Sequence, residues 1–285
     1  MWPSQLLVEN ETVIRIAAFV GVFTLVAAWE AISPRRRPAL TRQVRWPHNV
    51  GLLLIDILVL RFLAPGAAVA VAFSAEAGGW GLLNALALPL WFEVLVAVIL
   101  LDLVIYFQHV MFHAVPTLWR LHRVHHADVD FDATTGVRFH PLEILLSTTL
   151  KCAAVAAFGA SAVAVLIFEL LLNATAMFNH ANASLLPVAE RWLRRLVVTP
   201  DMHRVHHSIR YNESSSNFGF NLPWWDRAFG TYKAQPQDGH DRMVIGVDAF
   251  RAPDEARLDR LLTQPFRDTP GSYSINRRPD AAHNS

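Results

Sequence analysis

Long apolar runs separated by short polar stretches fill the chain as far as Phe178, and they predict membrane-spanning helices. Val13 to Ile32, Val50 to Phe73 and Leu82 to Phe107 are each near the ~20 residues that a spanning helix needs. A fourth block, Leu142 to Phe178, is too long for one crossing and is interrupted by Gly159-Ala160-Ser161. It reads as a hairpin of two helices of roughly 17 to 19 residues. The expected fold is all-α: an integral membrane protein with about three spanning helices, a helical hairpin and a histidine-rich helical cap. From about Lys233 the composition turns polar, with Pro, Gly and Asp, and reads as a small extension of mixed helix and loop. These shifts divide the chain into an N-terminal anchor region (1–98), a hairpin and histidine-box region (99–235) and a cytoplasmic tail (236–285).

Charge orients the helices. The loop after the first apolar run holds Arg35, Arg36, Arg37, Arg42 and Arg45 with no acid, whereas Ser74 to Trp80 carries only Glu76. The positive-inside rule then puts the N-terminus outside and the end of the third helix, with His109, at the cytoplasmic boundary. The hairpin returns His140 and His180 to that same side, and Arg191, Arg194, Arg195 and Arg204 follow, again a cytoplasmic signature. Asp56 and Arg61 are the one intramembrane pair and are expected to satisfy each other or a neighbouring helix. With 53% hydrophobic and 17% charged residues, the chain is too apolar for an ordinary soluble domain. The first residues, MWPSQLLVENET, lack the basic region of a cleavable signal, so the first helix is expected to stay as an anchor. The Ala- and Arg-rich composition fits a bacterial inner membrane. Cys152 stands alone, which excludes an internal disulfide, a CxxC zinc pair and a CxxCH haem site. A net charge of +1 points to no nucleic-acid partner.

The chemistry lies in the histidines. HVMFH contains His109 and His113, and HRVHH occurs twice, at His122, His125 and His126 and at His203, His206 and His207. A shuffled chain of this composition would hold about 0.03 copies of HxxHH, so two copies are a strong metal-site signal. On a helix, residues three and four apart share a face, so each HxxHH is expected to aim at one point. Neutral imidazoles suit iron, zinc, copper or nickel, and eight of them exceed what one metal uses, so two metals are implied. Thr199 should cap a helix that opens at Pro200 and carries the second HRVHH, and Pro116 should separate the first two boxes. His48, His240 and His283 read as structural or solvated. There is no HExxH, no Gly-x-Ser-x-Gly and no GxGxxG. Electrons for any redox chemistry must therefore come from outside, and a centre at the membrane surface should act on a lipid.

In order and spacing, HVMFH, LWRLHRVHH, FHPLE, NHAN, TPDMHRVHHS and WWDRAFGTY resemble the fatty acid hydroxylase and sterol desaturase superfamily of integral-membrane non-haem di-iron oxidases. The resemblance covers roughly Asp102 to Tyr232. It implies iron ligation by His109, His113, His122, His125, His126, His203, His206 and His207, with His180 and His140 as further ligands. It gives Asp102, Tyr106 and Asp226 supporting roles that orient imidazoles, with no catalytic residue beyond the metal centre. It also implies two iron ions, O2 as co-substrate, a membrane lipid substrate and a separate electron donor, whether ferredoxin, cytochrome or flavoprotein reductase. The expected reaction is hydroxylation or desaturation at a C–H bond. Met202 and Ala176 stand where some members have further histidines, so nine or ten ligands are the most available. A zinc lipid hydrolase is the competing reading, with Glu143 and Glu190 as the nearest bases but neither inside a histidine box. A metal carrier is the third.

Overall fold

The computed structural model describes residues 9–86 and 88–268, and among these the regular elements are all helical, joined by two isolated bridges, Pro34 to Ala183 and Ser208 to Ile245. Five segments are long and apolar enough to cross a membrane: Glu11–Ile32, Arg42–Leu86, Leu90–Ala114, Pro141–Phe158 and Ala162–Asn179. The elements that position the site are α1 (Glu11–Ile32), α2 (Arg42–Leu63), α3 (Ala67–Gly78), α4 (Leu82–Leu86), α5 (Leu90–Ala114), α6 (Pro116–His126), α7 (Pro141–Phe158), α8 (Ala162–Asn179), α9 (Pro187–Leu193) and α10 (Pro200–His206). Large apolar side chains stand bare on the outer faces, among them Val13, Ile16, Val20 and Leu25 of α1 and Leu54, Leu58 and Phe62 of α2. An apolar surface of that extent belongs against lipid.

The apolar run from Val50 to Phe73 is not one helix. α2 starts earlier, at Arg42, and stops at Leu63 because Pro65 disfavours helical geometry at Ala64 and lacks an N–H, while Gly66 adopts a left-handed φ of 59°. The run from Leu82 is likewise broken at Pro89, which caps α5. Nor do Asp56 and Arg61 pair: Asp56 is buried and Arg61 exposed. Five residues on a helix turn them about 140° apart.

The hairpin forms as its sequence implies. Gly159 turns it with φ 65°, and the Ser161 side chain caps α8 by accepting from Ala164 N at 3.2 Å. Glu93 of α5 accepts from Ser161 N and Oγ, at 3.0 and 2.7 Å. Gly81 rests so closely on Gly159 that a Cβ there would stand 2.3 Å from the Gly159 Cα. The core between α3, α5, α7 and α8 is built on small side chains, including Ala72, Ala97, Ala154 and Ala164, which let helices approach where lipid offers no hydrophobic drive.

At the histidine end, a buried ion-pair network bolts α2 to the loop after α6. The Arg45 guanidinium grips both oxygens of Asp128, at 2.7 and 2.6 Å, and donates to Asp132 at 2.6 Å. Burial pushes the Asp128 carboxyl up, but Arg45 and Arg138 outweigh it and hold the group well below the usual carboxylate range. The C-terminal segment as far as residue 268 packs back on the histidine end. Leu258 and Leu261 pack on Leu52 and Val124, and Arg123 donates to the Gln264 and Arg267 carbonyls. His283 and the first eight residues lie outside the described residues.

Candidate metal centre

Four local features place the histidines. α5 runs on past the apolar stretch to Ala114, so His109 and His113 sit one turn apart at its end. Pro116 at the first position of α6 restarts the chain and brings His122, His125 and His126 back over them. Thr199 caps α10 by accepting from Met202 N at 3.4 Å, with Pro200 at the first helical position, which fixes the second HRVHH. His180 follows α8 directly at the end of the hairpin.

Among the described residues nine histidines meet, in two groups: His109, His113, His122, His126 and His206, and His125, His180, His203 and His207. Within each group one ring nitrogen per residue lies within 4.8 Å of all the others, and every member is buried. Each HxxHH is divided rather than aimed at one point. The i and i+4 residues of the first box join one group and its i+3 residue the other; the second box does the reverse. Adjacent positions on a helix are about 100° apart, so the i+3 and i+4 imidazoles diverge enough to serve two neighbouring centres. The groups share a wall, where the His126 and His207 rings stack at 4.4 Å.

The donor set fits metal ions. His206 Nε2 and His109 Nε2 are 2.9 Å apart, and His180 Nε2 lies 3.1, 3.1 and 3.2 Å from those of His125, His203 and His207. With metal–nitrogen bonds of about 2.1 Å, cis ligands stand about 3.0 Å and trans ligands about 4.2 Å apart, which is this spacing. One Nε2 cannot bond three others that also present lone pairs, whereas a cation between them satisfies all four. Burial pushes His122 and His180 down to about 3, and burial followed by neighbouring imidazoles holds His125, His126, His203, His206 and His207 well below their ordinary value. The rings are thus neutral, the ligating form.

Hydrogen bonds at the outer nitrogen fix the tautomers of four of the nine, His109, His122, His180 and His206. Nδ1 of His109 donates to Phe218 O at 2.8 Å, that of His206 to Ser216 O at 2.7 Å, and that of His180 to Ala176 O at 2.7 Å. His122 donates to Glu143 Oε1 at 2.6 Å, leaving its Nε2 with no hydrogen-bond partner and free for a metal. Glu143 is therefore the residue of FHPLE that reaches the site. His140 is not brought to either group: its Nδ1 caps α7 by accepting from Leu142 N, and its Nε2 donates to Leu262 O. A histidine before a helix starting at proline serves as a cap as readily as a ligand, and only the fold separates the two. His48 and His240 also stand outside both groups.

Asp102, Tyr106 and Asp226 touch no imidazole. Asp102 accepts from Asn221 N, Leu222 N and Trp225 Nε1; Asp226 accepts from Phe218 N and Gly219 N, both at 2.8 Å, and from Thr231 Oγ1, which also meets the Tyr106 hydroxyl. Together they hold the 216–222 loop, whose carbonyls orient His109 and His206. Gly219 permits this, since a Cβ there would meet Asp226 Oδ2 at 2.7 Å.

Beside the histidines lies a cavity of about 270 Å³, lined by His109, His122, His125 and His203 and otherwise mainly by apolar side chains such as Leu53, Ile57 and Phe112. A second, of about 490 Å³, shares Leu53, Ile57 and Asn173 with it and opens between α1, α2 and α8.

Comparison with known proteins bears on these same residues. Residues 94–231 match the family model described as fatty acid hydroxylase. The chain is 27% identical to the ornithine lipid hydroxylase OlsE of Rhizobium tropici over 52% of its own length and 44% of the relative's. It is 28% identical to alkylglycerol monooxygenase of Homo sapiens, over 55% and 33%, and 24% identical to cholesterol 25-hydroxylase of Rattus norvegicus, over 55% and 51%. The chain thus spans a third to a half of the length of these curated relatives. No solved structure matches.

Proposed function

Residues 94–231 belong to the fatty acid hydroxylase superfamily, and on that premise we propose that the chain is an O2-dependent, non-haem di-iron lipid hydroxylase or desaturase. One iron would be held by His109, His113, His122, His126 and His206, the other by His125, His180, His203 and His207. The observation that carries this reading is the convergence of nine buried, neutral imidazoles into two adjacent groups with metal-ligand spacing. Bound there, iron supplies the O2 activation and C–H oxidation that side chains cannot perform. The chain's own residues orient the ring nitrogens through Glu143 and the carbonyls of Ala176, Ser216 and Phe218. They also provide a cavity lined mainly by apolar groups, which excludes water and seats an alkyl chain against the centre.

The substrate enters from the bilayer, and electrons come from a separate ferredoxin, cytochrome or flavoprotein reductase. Residues 99–235 form the catalytic region, 1–98 the anchor and 236–285 the tail, with the histidines on the cytoplasmic face of a bacterial inner membrane. The zinc hydrolase reading would need Glu143 as its general base, whereas its Oε1 accepts from the outer nitrogen of His122, the contact of a residue that orients a ligand. The test is turnover of membrane lipids with O2 and a reductase system, compared with His206→Ala. The wild type should form O2-dependent product and the variant none, while both insert into membranes. Full activity in the variant would overturn the ligand assignment.

A further inference from the structure

Asp56 has no role in the centre described above, yet it lines the same cavity as His109 and His122. It is 4% exposed, and its Oδ1 meets no hydrogen-bond donor. Arg61, the nearest cation along α2, is exposed on another face and forms the wall of the second cavity instead. Buried polar groups are almost always bonded, and an unbonded one beside a binding site marks a place where a ligand completes it.

The rest of the wall has the same character. The Gln108 amide nitrogen donates to Ser147 Oγ at 3.0 Å, which leaves its Oε1 buried and unpartnered, and Glu143 Oε2 is unpartnered as well. The cavity therefore offers hydrogen-bond acceptors set among apolar side chains such as Leu60, Phe112 and Leu172. A plain alkyl chain would leave these acceptors stranded. A lipid carrying a donor would satisfy them, and the second cavity has room for the remainder of its chain.

We propose that Asp56 anchors the substrate by accepting a hydrogen bond from a hydroxyl or ammonium group on the lipid, and so sets which carbon faces the histidine groups. This rests on the site acting on a lipid, as proposed above. A site built to bond a donor discriminates strongly against the analogue that lacks it, because its own polar group is then left unpaired.

The test is competition binding on the full-length protein in detergent, with tritiated hexadecyl methyl ether as tracer and hexadecanol, hexadecylamine and unlabelled ether as competitors. On the wild type, alcohol and amine should compete about tenfold better than the ether, the difference one hydrogen bond makes. Asp56→Leu should bind the tracer undiminished and lose the preference. Asp56→Asn, which keeps an acceptor but cannot ionise to balance an ammonium, should retain the alcohol preference and lose that for the amine. Equal competition by alcohol and ether on the wild type would overturn the proposal, as would a tenfold preference surviving in Asp56→Leu. Should Asp56→Leu fail to bind tracer, Asp56→Asn decides, and an undiminished amine preference there overturns it. The assay needs neither iron, O2 nor reductant. Loss of the donor preference in a protein that holds two irons would refute Asp56 alone, whereas failure to hold iron would refute the oxygenase reading and leave the preference standing.

Discussion

At the scale of single residues, the outer nitrogen of His122 matters as much as its inner one. His122 is aimed by Glu143, so Glu143→Leu should lower the metal affinity of the first group about 10–100-fold while leaving the fold intact. Glu143→Gln, which can still accept the bond, should lose less. Competition with a graded series of chelators measures both. The buried rings also predict an acid limit. Their folded pKa values lie below the ordinary 6.5, so above that pH the proton costs neither state. Below it the unfolded chain takes up protons that the folded one refuses. Each such imidazole then removes stability with every further fall in pH, continuing to about 3 for His122 and His180. Metal-free protein should therefore melt at steadily lower temperature from about pH 6.5 to about pH 5, and metal-loaded protein should run parallel to it at higher temperature, because its rings are equally free of protons. A flat profile for the metal-free form would contradict the neutral, proton-excluding cluster.

At the scale of elements, the 216–222 loop accepts from the outer nitrogens of one group and not of the other, since its carbonyls bond His109 and His206. Asp226→Ala should therefore reduce bound metal from two ions toward one, read by elemental analysis, with the His125, His180, His203 and His207 group keeping its ion. The Arg45 network should behave differently. Arg45→Ala removes the cation of Asp132 and leaves Asp128 with Arg138 alone, and should cost about 3–5 kcal/mol, seen as a lowered melting temperature before any effect on metal. The sequence made the boxes and their helices legible because helical period and proline capping are local rules, and His109, His113, Thr199 and Pro200 obey them. The division of each HxxHH between two groups was not legible, since it depends on how α5, α6 and α10 cross. Glu143 and His140 exchanged places for a similar reason: their spacing in FHPLE is compatible with either reaching the site, and the hairpin's entry angle chooses. Asp128 and Asp132 looked like an ordinary acidic loop until Arg45, far away in sequence, was brought against them.

At the scale of the whole molecule, every connection at the histidine end is tied to the cap: Arg45 to Asp128, Pro34 to Ala183, and the C-terminal segment to Arg123. The opposite end closes on Gly81 and Gly159. This sidedness makes the orientation testable. In a Cys152→Ala background, Arg191→Cys should react with an impermeant thiol reagent only after cells are opened, and Ala77→Cys should react in intact cells. The long apolar runs made the apolar helices legible, but the breaks at Pro65 and Pro89 were hidden within them because hydropathy averages over a window and a single proline barely moves it. The central claim, that the two histidine groups hold a pair of irons, is tested most directly by the metal content of detergent-purified protein grown in iron-supplemented medium and kept from oxygen. The account predicts about two irons per chain; two zincs with no iron that can be loaded, or substoichiometric and freely exchanging metal, would contradict it.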